Sequence, residues 1–482
     1  MTRLTHTHAP TAGYLLVLVL VFGGIFFFIV SSFVGFAVTQ SQIVNMQYHG
    51  QQALDIAEAG LNHYKWQLAH SSSSVANATV DLSAQTDVVY DPVGNPIGEY
   101  TITAASSTYC GAIANIDVVS EGFSYDDPSI VRTIRTRYTK PTVANYSYIV
   151  NGNVWAGDDR EISGPYHSNG GIIMDGWNKS VVTSGVATWE CGPGNGFGSL
   201  CPATTTRDGV STYSPNVNTD PSLFLYPSNP IDFAGFNLSL SDMADRASTS
   251  GIYFENSGHY GYHVEFNGNG TVTFRPVTNV HAVRQYNSMV GSYFDENTYI
   301  LNRGSSQTEP IDPDCPLIYV DDKIWLEGEV DEKVTIAVGG TDAEGLDSSI
   351  FLQGNITYDD PLSDGLLAVA KRNVLVGLDV PDQMELNGIF VAMEGNFGRN
   401  HYYEPHLDPA IDHYYTRDRL TLNGTVVSLG RVGTAWSSGG AHASGFENRV
   451  NEYDRNLVEN PPPLVPSAGS AIYRYTDWQI DG

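Results

Sequence analysis

The stretch densest in reactive side chains is "HYYEPHLDPAIDHYYTRD", His401–Asp418. It sets His401, His406 and His413 and the carboxylates Glu404, Asp408 and Asp412 among Tyr402, Tyr403, Tyr414 and Tyr415. Imidazole beside carboxylate suits a divalent metal, whereas tyrosines offer flat apolar faces with a polar tip to a sugar or protein surface. The competing reading is an exposed insertion between structural repeats. Of the two, adhesive contact through His401, Tyr402, Tyr403, His406, His413, Tyr414 and Tyr415 is the functional reading the composition favours over a metal site.

Carboxylates also cluster in "IDPDCPLIYVDD" (Asp312, Asp314, Asp321, Asp322) and "YDDPLSDG" (Asp359, Asp360, Asp364). Extracellular coiled β enzymes that cut polysaccharides use clustered Asp with calcium and a basic residue. Neither stretch fits the twelve-residue calcium loop. No G-x-S-x-G, H-E-x-x-H or phosphate-loop motif occurs. The expectation is a protein with no catalytic residues and no metal or cofactor, calcium at the acidic turns being the weak exception. His167, in "PYHSNGG", is expected to bond backbone carbonyls in a turn.

The cysteines are Cys110, Cys191, Cys201 and Cys315. Without a C-x-x-C pair, zinc and thioredoxin-like chemistry have no support. Cys191 and Cys201 bracket "CGPGNGFGSLC", a Gly-rich loop that a disulfide closes easily in an oxidising compartment. The partners of Cys110 and Cys315 stay open.

The elements that position these residues follow from the bulk and from the patterning. At 482 residues the chain exceeds one compact core. Only 16% of it is charged, and its 48 glycines point to a turn-rich β protein. Acidic residues outnumber basic ones 53 to 24, a net charge of −29 that repels nucleic acid phosphates.

Tyr14–Val38 is uncharged and apolar, long enough at about 1.5 Å per residue to cross a hydrocarbon core of about 30 Å. Arg3 precedes it and Asp55 and Glu58 follow, a bias that places the N-terminus in the cytoplasm and the rest outside. Beyond it, Leu54, Ala57, Leu61, Tyr64 and Leu68 recur at helical spacing with no intervening Pro. Tyr14–Leu68 therefore reads as one helix, half in lipid and half carrying a stripe for a soluble domain. Ala57, Ala59 and Gly60 are small enough for close approach, with Glu58 as a polar edge.

"GEYTITA", "IDVVSEGF" and "SIVRTIRTRYTK" alternate like short strands and predict a small antiparallel sheet behind the helix. In the last, Arg132, Arg135 and Arg137 concentrate scarce positive charge. From about Val143 a step of apolar residue, any residue, glycine recurs, ending at Gly328, Gly354, Gly388 and Gly424 among others. Its irregular period predicts a parallel β-solenoid with loop insertions, tandem sandwiches being the alternative. Pro461–Pro463 end the coil, and the tail with Tyr475 and Trp478 is expected to pack back on a rung.

"TAGYLLVLVLVFGGIFFF" and "QQALDIAEAGLNHYKWQL" resemble the N-terminal region of PilX-like minor pilins, with "AEAGL" at the family's distance after the apolar run. "GPYHSNGGIIMDG", "PLIYVDDKIWLEGEVDEKVTIAVGG", "LTLNGTVVSLGR" and "EYDRNLVENPPPLVPSAGSAIYRYTDWQ" resemble the family's C-terminal part, so the likeness covers most of the chain in patches. It implies a leader, 1–13, cut between Gly13 and Tyr14; a membrane and assembly helix, 14–70; a small pilin-like sheet, 71–143; and an extracellular β-solenoid, 144–482. It further implies assembly with other pilins through Leu54, Ala57, Glu58, Ala59, Gly60 and Leu61, anchoring in inner membrane lipid, and contact of the coil with host, cell or surface glycans. The acidic residue that major pilins carry early in the mature chain is Leu18 here. The expected function is a minor subunit of a type IV pilus, at its tip or in its priming assembly; the alternative is a membrane-anchored carbohydrate-active β-helix.

Overall fold

The computed structural model describes residues 12–70, 83–139, 141–195, 197–198, 200–234, 238–287, 291–403, 408–438, 441–468 and 474–481. Ala12–His70 is one α-helix of 59 residues, α1, about 90 Å long at 1.5 Å per residue. Its first half has no Pro, no charge and no protein neighbour; it is long and apolar enough to cross a membrane.

The second half of α1 lies on an antiparallel sheet of β1 (Gln85–Tyr90), β2 (Pro96–Tyr109), β3 (Ala112–Ser124) and β4 (Asp127–Thr139). Ile56, Ala57, Leu61, Tyr64 and Leu68 are buried against Tyr100, Ile102, Ile116, Val118, Ile134 and Tyr138. The stripe expected from the sequence is thus the docked one, with Ile56 more deeply buried than Leu54. A fifth strand, Arg474–Asp481, pairs antiparallel with β4, Tyr475 opposite Tyr138. This corrects the expectation that the tail returns to a coil rung: its strand completes the sheet edge, and the Tyr475 hydroxyl donates to the Leu61 carbonyl of α1. The scarce arginines of β4 serve the same unit, Arg135 pairing with Asp481 and Arg137 with Asp117.

Beyond β4 the stacked strands pair in parallel, with antiparallel hairpins such as Tyr262–Asn267 against Thr271–Asn287 and Thr271–Asn287 against Ser292–Arg303 inserted between them; the parallel stack decides for a coil over sandwiches. One line of aligned residues runs through it: Ile252, Ile318, Ile336, Ala368, Phe390, Val426, Tyr148, Tyr166, Val182 and Phe224, each opposite the next. The order is permuted relative to the sequence. The chain enters mid-coil at Tyr148, winds outward to Leu225, crosses to the other end near Ile252 and winds back to meet its own entry at Val426. Entry and exit are adjacent, as Val143 N donates to Pro466 O at 3.0 Å. This lets both chain ends of the coil reach one small sheet.

The strands are apolar on both faces because both are covered. Ile318, Ile336 and Phe390 point into the coil, whereas Leu317, Tyr319, Leu367, Val369 and Ile389 lie under helix α2 (Leu238–Ser250) and the segment around Leu457. The glycine steps fit tight bends: Gly424, at φ +133, stands opposite Gly388, and a Cβ there would fall 2.1 Å from the Gly388 carbonyl oxygen. The molecule is therefore mainly β, with a long N-terminal helix, a small antiparallel sheet and an irregular parallel coil.

Candidate functional site

The helix seat is built from small residues. Gly122 of β3 sits where a Cβ would be 2.5 Å from the Ala57 amide nitrogen, and Gly60 faces the Tyr100 ring and Ser120. Ser120 Oγ donates to the Ala57 carbonyl at 2.8 Å, and His63 Nδ1 is 2.5 Å from the Tyr100 hydroxyl. Burial, with Asp87 nearby, pushes that hydroxyl up to about 12. Of the expected assembly residues, Ala57, Gly60 and Leu61 are buried in this seat, whereas Leu54, Glu58 and Ala59 stay half-buried at its margin. Gly13 and Tyr14 lie in the first turn of α1; residues 1–11 of the expected leader lie outside the described residues.

The acidic clusters do not converge on one site. Asp322 accepts from Ser257 N and Oγ and from Lys323 N; Asp364 accepts from the amides of Glu332 and Asp360. Asp312 caps the amide of Asp314, and Asp360 that of Leu362. These carboxylates hold turns between rungs. Among the described residues no group of three His, Cys, Asp or Glu side chains gathers to hold a metal. His167 bonds the side chains of Thr183 and Asn169 at 2.8 and 2.9 Å rather than backbone carbonyls, and burial lowers its pKa.

In the tyrosine-rich loop, His401 exchanges backbone hydrogen bonds with Tyr286 and holds Ser444 Oγ at 2.6 Å through Nδ1. Tyr402 is only 1% exposed and packs with Val283, Leu378 and Ile411, so its ring is not offered to a partner. Tyr414 and Tyr415 lean on the same cluster, while Tyr403 and His413 are exposed. His406 and Glu404 lie outside the described residues.

Cys191 and Cys201 are joined, as are Cys110 and Cys315. The smaller loop has a role its spacing alone did not reveal. It presents Phe197 and Leu200 as one wall of a cleft of about 800 Å³. The other walls come from Trp155–Arg160 and from residues between Asn396 and Arg449. Arg431 lies over the Phe197 ring, 4.3 Å from its centroid, and burial lowers the pKa of its guanidinium. The indole nitrogens of Trp155 and Trp436 donate within the protein, to Asp175 Oδ2 at 2.9 Å and to the Arg399 carbonyl at 2.7 Å. Arg160, Arg399 and Arg449 complete the basic lining, with Asp158, Asp159 and Glu447 as its acids. With Asn287, the lining is scattered over four distant parts of the sequence; only the Gly-rich disulfide loop marked the place in advance.

No family model matches the chain, and no curated protein matches it. Among solved structures it is similar to the competence-associated pilin ComZ from Thermus thermophilus, a crystal structure. The identity is 12%, the match covers 90% of this chain and 97% of that one, and the TM-score is 0.29. At that score the likeness assigns no residue a role.

Proposed function

We propose that this chain is a PilX-like minor pilin: a low-copy, non-catalytic subunit at the tip of a type IV pilus or in its priming assembly. The observation that carries the reading is α1. Its apolar half stands clear of the protein and its second half is seated on the small sheet by Ala57, Gly60 and Gly122. A free apolar half-helix suits two successive surroundings, inner membrane lipid and then the helices of neighbouring pilins. The weak basic bias before the span supports a reading with the sheet and coil outside the cell, where two disulfides are at home.

The coil is far larger than the small sheet and would crowd its neighbours if repeated along a thin filament, which favours a terminal position. Asp322 and Asp364, in its two acidic stretches, accept from turn amides, which supports contact rather than chemistry. Processing between Gly13 and Tyr14 belongs to the same proposal.

The test is to purify surface filaments from cells carrying an epitope-tagged chain. Immunogold at filament ends, with mass spectrometry placing Tyr14 first, supports the reading. Unaltered piliation on deletion, with the protein confined to membranes and an intact Met1, overturns it.

A further inference from the structure

We propose that the cleft between the Cys191–Cys201 loop and the Trp155 and Trp436 walls binds a carboxylated sugar unit of a surface glycan. The inference rests on the proposed placement of the coil outside the cell; its argument comes from the cleft itself.

The first observation is uncompensated charge. The chain carries a net −29, yet four arginines line this one cleft. Arg160 and Arg399 are 5% and 1% exposed, and all their hydrogen-bond partners are neutral. Arg160 donates to the Tyr148 hydroxyl at 2.7 Å and to Asn451 Oδ1 at 3.0 Å. Arg399 donates to the carbonyls of Gly377, Leu378 and Tyr414. Among the described residues neither forms an ion pair with a carboxylate, unlike Arg449, which pairs with Asp159. Asp159 and Asp379 act on Arg160 and Arg399 through space without pairing with them; a buried cation without a paired carboxylate is costly, and an anion entering the cleft relieves that cost.

The second observation is unused donors. The Nε atoms of Arg160, Arg399 and Arg449 are buried without partners. Because these atoms lie below the surface, they act on an anion in the cleft through their field rather than by direct contact.

The third is the apolar complement. Trp155 is 40% exposed at the rim, and with its indole nitrogen engaged it offers a face rather than a donor, while Trp436, packed on Tyr286 and His401, backs the wall. A flat aromatic face takes the C–H side of a pyranose ring, while the rim carboxylates Asp158 and Glu447 can accept from ring hydroxyls. About 800 Å³ admits one or two sugar units and lies within the range of ordinary ligand sites. A neutral sugar would use the faces and leave the buried charge unanswered; a free phosphate or sulfate would use the charge and leave the faces idle. A carboxylated pyranose uses both.

The experiment uses the full chain in detergent and two pairs of probes: digalacturonic acid against its methyl ester, and sialyllactose against lactose. Esterification removes the charge and keeps the ring. Tryptophan fluorescence and calorimetry should show at least one acid binding, and at least tenfold tighter than its uncharged partner. Arg431→Met and Trp155→Ala should each weaken that acid tenfold or more. Both sites lie at the cleft wall rather than in the coil's central stack, so unfolding curves check that the variants are folded. Equal binding of acid and ester, binding of neutral sugars alone, or no binding of either acid by folded protein overturns the proposal. Sulfate competing as well as the acids would assign the cleft to bare anions and also overturn it. Filament incorporation of the Arg431→Met protein should be normal, because α1 is untouched. A chain that binds the acid yet never enters filaments would sink the pilin reading and leave this one standing.

Discussion

Cys110, at the tip of the hairpin between β2 and β3, is disulfide-bonded to Cys315 beside the coil strand Leu317–Val320. The bond spans 205 residues of sequence and ties the helix-bearing sheet to the coil. The junction is reinforced where Cys110 N donates to the Asp314 carbonyl at 3.0 Å and Arg246 Nη1 donates to the Cys110 carbonyl at 2.6 Å. The sheet is thus fastened at its hairpin tip as well as through the two chain connections.

Cys110→Ser with Cys315→Ser should lower stability by about 2–5 kcal/mol, the range for losing a disulfide that closes a long loop. Denaturant unfolding should also become less cooperative, because sheet and coil keep only their chain connections and contacts. Limited proteolysis should cut the hairpin Tyr109–Ala112 first. An unchanged midpoint and digestion pattern would mean the bond carries no load.

Gly122→Ala should cost about 1–3 kcal/mol, since the new methyl meets backbone of α1 at 2.5 Å and backbone gives little. The check is denaturation followed through Trp66, which lies on the docked half of α1. Gly94→Ala, at an exposed turn with open space around it, controls for the loss of a glycine: it strains a φ of +95 without touching the helix. Equal loss of helix docking in both would remove close packing as the reason for Gly122.

Much of this was legible beforehand. The helix could be read because its period is local: Ala57, Leu61 and Tyr64 repeat within a few turns and no Pro interrupts them. The coil could be read as parallel strands because the glycine steps mark its bends. Its permuted order could not, since nothing in Val426 or Tyr148 announces that residues 278 positions apart are opposite each other. The fate of Arg474–Asp481 was hidden for the same reason: a short strand carrying Tyr475, Trp478 and Ile480 fits any open sheet edge, and which edge is free depends on the whole fold. In the candidate sites, the density of His and Tyr drew attention to His401–Tyr415, yet Tyr402 serves the core. The cleft arginines are single residues in unremarkable contexts, joined only by folding.

Phe390→Ala tests the stacked core of the coil. Phe390 is fully buried between Ala368 and Val426 in the aligned line, with Phe397 at 5.9 Å centroid distance. Removing the ring should cost about 3–5 kcal/mol. The alternating neighbour Ile389 faces α2 and the outer layer instead. Ile389→Val should cost only about 0.5–1.5 kcal/mol, as a single methylene is lost. Similar losses from the two changes would argue against an inward face at Phe390.

The last prediction concerns acid. Glu327 Oε1 accepts from His263 Nε2 at 2.6 Å, with the histidine side chain only 4% exposed. That hydrogen bond holds the Glu327 carboxyl below its ordinary value of 4.5, against burial, with His263, Arg303 and Arg275 adding favourable charge. The sign follows from linkage. A carboxyl whose folded pKa is depressed binds its proton more readily in the unfolded chain, so the stabilisation is complete above about pH 4.5 and is lost as pH falls through the folded value. Glu327→Gln keeps an acceptor but loses the charge, and should cost about 1 kcal/mol near neutrality, a modest figure because the carboxylate is part-exposed. The difference between the two proteins should then shrink towards zero on acidification below about pH 4, while both lose stability through their other carboxylates. Urea unfolding at matched pH values reads it directly. A gap that stays constant from about pH 7 to pH 3 would assign the loss to packing at Glu327 rather than to its charge.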